Sequence, residues 1–112
     1  MARILIAEPT PALHQLLEQV VADVGHEPVD AAGICETLAC DALILEPDWP
    51  GARRLAECLR HTVPTLPVVC VSKRSSSSWA TEFGVDAYLV KPFALRDLEE
   101  AIAASVGRPQ EA

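Results

Sequence analysis

The sequence predicts an α/β fold in which a parallel sheet is covered by helices on both faces. Three observations lead there. Short apolar runs alternate with longer segments that repeat at helical period, so strands and helices take turns along the chain. The short runs are apolar at consecutive positions rather than at every second one, as strands buried on both faces are. The 112 residues suffice for one domain, and neither an internal repeat nor a shift in composition divides them.

Taken in order, Arg3–Ala7 (RILIA) reads as a buried strand. Pro11 opens a helix whose Leu13, Leu16, Leu17, Val20, Val21 and Val24 fall on one face, and Gly25 ends it. His26–Ala31 (HEPVDA) is a second strand, and Pro28 assigns it to an edge because proline cannot donate to a ladder. Residues 34–40 are enough for two helical turns. Ala42–Leu45 (ALIL) is a third strand, closed by Glu46. Pro47-Asp48-Trp49-Pro50-Gly51 is a loop by its breakers. Ala52–His61 follows as a helix with Leu55 and Leu59 inward and Arg53, Arg54 and Arg60 outward as a solvated basic strip. Pro67–Val71 is the fourth strand, and the polar stretch Ser72–Ser78 is a low-complexity loop. A brief helix over Trp79–Phe83 stops at Gly84, Asp86–Val90 is the fifth strand, and a last helix carries Leu95, Leu98 and Ile102 inward. Gly107-Arg108-Pro109 ends that helix, so the domain takes in residues 1–107 and 108–112 form a tail.

Composition narrows the function. Nine basic against sixteen acidic residues give a net charge of −7, which disfavours nucleic acid and anionic membranes as partners. No apolar run approaches the roughly 20 residues of a membrane span, and the first apolar stretch meets Glu8 too soon for a signal peptide. Cys35, Cys40, Cys58 and Cys70 match no metal or redox spacing and read as reduced core thiols, which suits a cytoplasmic chain. His14, His26 and His61 share no metal-ligand spacing and read as surface residues, while Trp49 and Trp79 read as partial core cover.

In an open parallel sheet the ligand site lies beyond the carboxyl ends of the strands. The residues there are Glu8 and Pro9 after the first strand, Glu46 after the third, Ser72 and Lys73 after the fourth, and Lys91 after the fifth. Lys91 follows a buried strand directly, so its ammonium needs a carboxylate, and Glu46 is the expected partner.

Four segments in this order resemble the response-regulator receiver domains of two-component signalling, the CheY-like family. They are Ile4-Leu5-Ile6-Ala7-Glu8, Asp41–Glu46 with Pro50 four residues on, Pro67–Ser72, and Gly84-Val85-Asp86-Ala87-Tyr88-Leu89-Val90-Lys91-Pro92-Phe93. The resemblance implies a flavodoxin-like (βα)5 three-layer sandwich with strand order 2-1-3-4-5. It implies a phosphoacceptor Asp ending the third strand, and Mg²⁺ held by that Asp and two acids after the first strand. It also implies a hydroxyl and a lysine on the phosphoryl oxygens, a reorienting aromatic on the fifth strand, and a partner surface formed by the fourth helix, fifth strand and fifth helix. By position Ser72 matches the hydroxyl, Lys91 the lysine and Tyr88 the aromatic, and the Lys91-Pro92 bond is expected to be cis.

The departures fall on the chemistry. Glu46 stands at the phosphoacceptor position, Pro9 takes the place of the second acid, and Lys73 replaces a residue that is usually small. Glutamate's extra methylene moves the carboxylate outward, and a misplacement of about 1 Å can cost on the order of 10²-fold in a positioned reaction. The expectation is therefore a pseudo-receiver. Glu46 reaches Lys91, and Ser72 if it extends so far, and imitates a phosphorylated Asp without phosphate or metal. Such a domain is a protein-interaction module rather than an enzyme, with partners in a two-component pathway and a homodimer as one option. Two alternatives stand beside it. One is a metal-dependent receiver still phosphorylated at the third strand, with Glu8, Glu46 and Asp48 holding Mg²⁺ weakly. The other is a small-ligand binder of flavodoxin type, although no Gly-rich loop follows the first strand. The chain is also short between Glu8 and Glu46, after Pro50, and between Ser72 and Gly84, which reshapes the expected partner surface.

Overall fold

The computed structural model describes residues 2–31 and 40–106. The helix expected over 34–40, Cys35 and the 108–112 tail lie outside the described residues. Within them, in chain order, are β1 (Arg3–Ala7), α1 (Pro11–Asp23), β2 (Glu27–Asp30), β3 (Ala42–Leu45), α2 (Ala52–Thr62), β4 (Val68–Ser72), α3 (Ser78–Phe83), β5 (Ala87–Val90) and α4 (Leu95–Val106). The five strands form one sheet of order β2-β1-β3-β4-β5, all pairs parallel. β2, with Pro28, is at an edge as its sequence requires.

Alternation along the strands divides the core into two layers. Ile4, Ile6, Ile44, Val69 and Val71 face α1 and α4, packing with Leu17, Val20, Val21, Leu98 and Ile102. Leu5, Ala7, Leu43, Leu45, Val68 and Cys70 face the other way, onto Ala52 and Ala56 of α2 and Ala80 of α3. Trp49 and Trp79 cover this second layer from its margin. Helix ends follow the expected glycines. Gly25 (φ 92°) closes α1 through Gly25 N–H to Ala22 O and His26 N–H to Val21 O, the paired bonds of a Schellman cap.

Several side chains depart from the pattern. Leu16 and Leu95, expected inward, are 39% and 46% exposed, because each core-facing stripe is already filled by its neighbours. His26 is buried rather than on the surface, and its Nδ1 accepts the Ala2 N–H at 3.0 Å. Cys58 is exposed and Cys40 half-buried, so among the described cysteines Cys70 is the core thiol. Arg60 is not a solvated strip residue. It donates to Leu66 O, Phe83 O and Gly84 O at 3.0–3.1 Å, and its guanidinium lies 4.5 Å from the Phe83 ring centroid. The serine stretch contains the cap of α3, where Ser77 Oγ accepts the Ala80 N–H.

Candidate functional site

Strand register brings the site together. Ala7 pairs with Leu45 and Ser72 with Val90, so Glu8 and Glu46 emerge side by side and Lys91 emerges next to the end of β4. Two backbone bonds extend the ladders past the strands: Glu46 N–H to Ala7 O at 2.9 Å and Lys91 N–H to Ser72 O at 2.7 Å.

Three of these strand-end side chains then turn back on their own loops, each accepting the N–H two residues on. Glu8 Oε2 takes Thr10 N–H at 3.0 Å, Glu46 Oε2 takes Asp48 N–H at 3.0 Å, and Ser72 Oγ takes Arg74 N–H at 3.1 Å. Each glutamate thus has one oxygen fixed on its loop and one left. Both remaining oxygens meet the same ammonium: Lys91 Nζ is 2.7 Å from Glu46 Oε1 and 2.9 Å from Glu8 Oε1. The Glu46 contact has hydrogen-bond geometry, whereas the Glu8 contact is an ion pair off the hydrogen-bond direction. The side chains of Glu8, Glu46 and Lys91 are only 0, 4 and 13% exposed. Burial pushes the Lys91 ammonium down, but the hydrogen bond to Glu46 and the close negative charges of Glu46 and Glu8 outweigh it, so Lys91 holds its proton above the ordinary lysine range.

The other candidates stand around this triad. Pro9 is exposed beside Glu8. Asp48 points away from the triad, and its Oδ2 accepts Arg74 Nε at 3.3 Å. Lys73 is exposed and makes no ion pair with Glu46. The Tyr88 hydroxyl donates to Arg74 O at 3.1 Å, and the Lys91-Pro92 peptide is cis. Ser72 is brought to the site but engages Arg74 rather than Glu46. Burial, then the Glu46 charge, pushes the Cys70 thiol up to about 12, so it is no nucleophile.

One participant, Arg74, and one contact, that of Glu8 with Lys91, are not read from the sequence. Arg74 links Asp48, Ser72 and Tyr88, and it was hidden in a stretch that looked like featureless loop. Glu8, read as a rim acid, shares Lys91 with Glu46.

The donor set does not fit Mg²⁺. A hard cation seeks six oxygens in near-octahedral array. Here the two buried carboxylates spend each oxygen on Lys91 or a loop N–H, and Asp48 faces Arg74. Among the described residues no three acidic, histidine or cysteine side chains gather as metal ligands.

No family model matches the chain. It is 30% identical over 122 aligned positions to the transcriptional regulatory protein PdtaR of Mycobacterium tuberculosis, covering 97% of this chain and 58% of that one. It is 30% identical to the response regulator MprA of Mycobacterium bovis, covering 98% and 54%. The chain therefore spans a little over half the length of these relatives. Among solved structures, a CheY-like receiver domain protein from Methanospirillum hungatei superposes with a TM-score of 0.82 at 24% identity, covering 95% of this chain and 94% of that one. Nearly the whole chain is thus similar to part of these response regulators, and its 2-1-3-4-5 parallel sheet has the fold of the CheY-like receiver domain on which it superposes.

Proposed function

We propose that this chain is a receiver domain acting in a two-component pathway as a phosphorylation-independent protein-interaction module. The observation that carries the reading is the ammonium of Lys91, 2.7 Å from Glu46 and 2.9 Å from Glu8. In a phosphorylated receiver the lysine meets an anionic group carried by the third strand. Here the longer Glu46 delivers a permanent carboxylate to that lysine. The same ammonium supplies positive charge between the two acids, which is the service a divalent ion would otherwise perform. The domain then rests in one state without phosphate or metal and carries no autophosphorylation chemistry.

The proposed partners are proteins of the pathway, met through α3, β5 and α4, with a homodimer through that face as one form. The net charge of −7 argues against nucleic acid. No helix among the described residues is long and apolar enough to cross a membrane, and the proposed compartment is the cytoplasm.

The test is incubation with acetyl phosphate and Mg²⁺ followed by mass spectrometry of the intact chain. The expected result is no covalent gain. A phosphoryl adduct on Glu46 overturns the proposal and restores the metal-dependent receiver.

A further inference from the structure

Beside the triad, between the start of α1 and the start of α4, lies an open groove of about 510 Å³. Leu13, Leu16, Pro92 and Phe93 supply its apolar wall, Thr10 and Lys73 its polar margin, and Lys91 its inner end. The volume lies in the range of small-molecule sites, roughly 300–1,000 Å³.

Three features point to what the groove would take. Leu16 is 39% exposed although its helical position repeats with buried Leu17, Val20 and Val21, so the wall presents apolar surface to solvent. Lys73 carries a charge that no ion pair with a described residue neutralises, in a chain of net charge −7 where free cations are few. Thr10 occupies the N-cap position of α1, yet its side chain makes no cap hydrogen bond, leaving a hydroxyl on the groove's margin. Lys91, by contrast, is ion-paired with both Glu8 and Glu46, whose two negative charges outweigh its own. The groove therefore combines one uncommitted cation and one hydroxyl at its rim with an apolar, partly aromatic wall.

We infer that this groove binds a small amphiphilic organic anion, its anionic group on Lys73 and Thr10 and its apolar body against Leu13, Leu16, Pro92 and Phe93. The site adjoins the Glu46–Lys91 contact at its inner end but takes its charge from Lys73. The inference does not depend on whether Glu46 accepts a phosphoryl group.

The probe is 8-anilinonaphthalene-1-sulfonate, an apolar aromatic body bearing one sulfonate, titrated onto the intact chain and read by fluorescence. The expected result is saturable enhancement at one probe per chain. The uncharged analogue N-phenyl-1-naphthylamine should bind about tenfold more weakly, as the loss of one charge-assisted contact predicts. Lys73→Glu and Leu16→Lys should each raise the probe's Kd about tenfold or more. Leu95→Lys, an exposed leucine outside the groove, should change it less than twofold. Lys73→Met should act in the same direction as Lys73→Glu without an added negative charge, so misfolding of one variant leaves the test intact. Near-ultraviolet circular dichroism checks that each variant keeps its fold. Enhancement that does not saturate, or that falls equally in the groove variants and Leu95→Lys, overturns the inference. So does sedimentation in which Leu16→Lys converts a dimer to monomer, since that gives the groove to a second copy of the chain.

Discussion

Lys91 concentrates the energetics of the site in one side chain. Its ammonium compensates two buried carboxylates, each of which has only one other partner, a loop N–H. Truncating a buried ion pair on one side costs about 3–5 kcal/mol, mostly through the charge left behind. Lys91→Met should therefore lower stability by an amount in that range, read as a shift in the urea midpoint. Adding Glu46→Gln to Lys91→Met should recover part of the loss, because the stranded buried charges fall from two to one. If Lys91→Met costs less than 1 kcal/mol, the triad does not hold the rim together. The Lys91–Glu46 contact was legible in the sequence, since a cation directly after a buried strand requires a nearby anion. Glu8's share in it was not. Whether one ammonium bridges two acids depends on a few tenths of an ångström in the approach of β1 to β3, and that is a property of packing.

Among the elements, the strands were the most readable and the connections the least. β1 and β3 have the expected bounds, and β4 and β5 shift by one residue, with Asp86 leaving the strand to accept Val68 N–H at 2.7 Å. Continuous apolar runs identify buried strands because almost nothing else buries four or five successive side chains. Arg60 shows what such patterns cannot reveal. On a helix of high amphipathicity it looks like a solvated residue, but it spans from α2 to the turn between α3 and β5, meeting three carbonyls and Asp86. Arg60→Ala should cost about 1–3 kcal/mol, since the carbonyls lose a charged donor, and Arg60→Lys should recover little because an ammonium cannot reproduce the fork. Urea unfolding of both variants measures this, and near-equal stability of wild type and Arg60→Ala removes the clamp from the account. The edge of the sheet has its own pH dependence. Burial holds His26 below the ordinary histidine value of 6.5, against the pull of Asp41, and its neutral Nδ1 accepts Ala2 N–H at the entry to β1. Below about pH 6.5 the unfolded chain takes up a proton that the folded chain refuses, so stability should fall with pH in that direction. His26→Asn, which keeps an acceptor but cannot be protonated, should flatten that slope in unfolding midpoints measured between pH 7.5 and 5.

For the molecule as a whole, the sheet order, the two-layer core and the placement of the rim all agree with a receiver fold, while at the rim Glu46 and Pro9 stand where the resemblance implies an aspartate and a second acid. The whole-chain resemblance was visible in the sequence because the segments carrying it are strand ends, whose spacing the fold fixes. Lys73's lack of contact with Glu46 and the Arg74 bridge across two loops were not, because loop side chains choose among many partners of similar energy. If the scaffold is intact and only these two positions differ, restoring aspartates there should restore the chemistry. Glu46→Asp withdraws the carboxylate from Lys91 by one methylene and frees the acceptor position. Pro9→Asp returns a second acid next to Glu8. The double variant should bind Mg²⁺ and gain one phosphoryl mass from acetyl phosphate at position 46. Glu46→Asp alone should gain far less, because two carboxylates with a lysine between them still lack the charge to hold a hard cation. Wild type and Pro9→Asp alone should gain nothing. A silent double variant that keeps its fold would shift the cause from the acids to their surroundings, to Lys73 at the rim and to the Asp48–Arg74 ion pair that ties the third-strand loop to the fourth. Adding Arg74→Ala to the double variant separates those two: a gain of phosphoryl mass then assigns the block to the ion pair, and continued silence assigns it to Lys73.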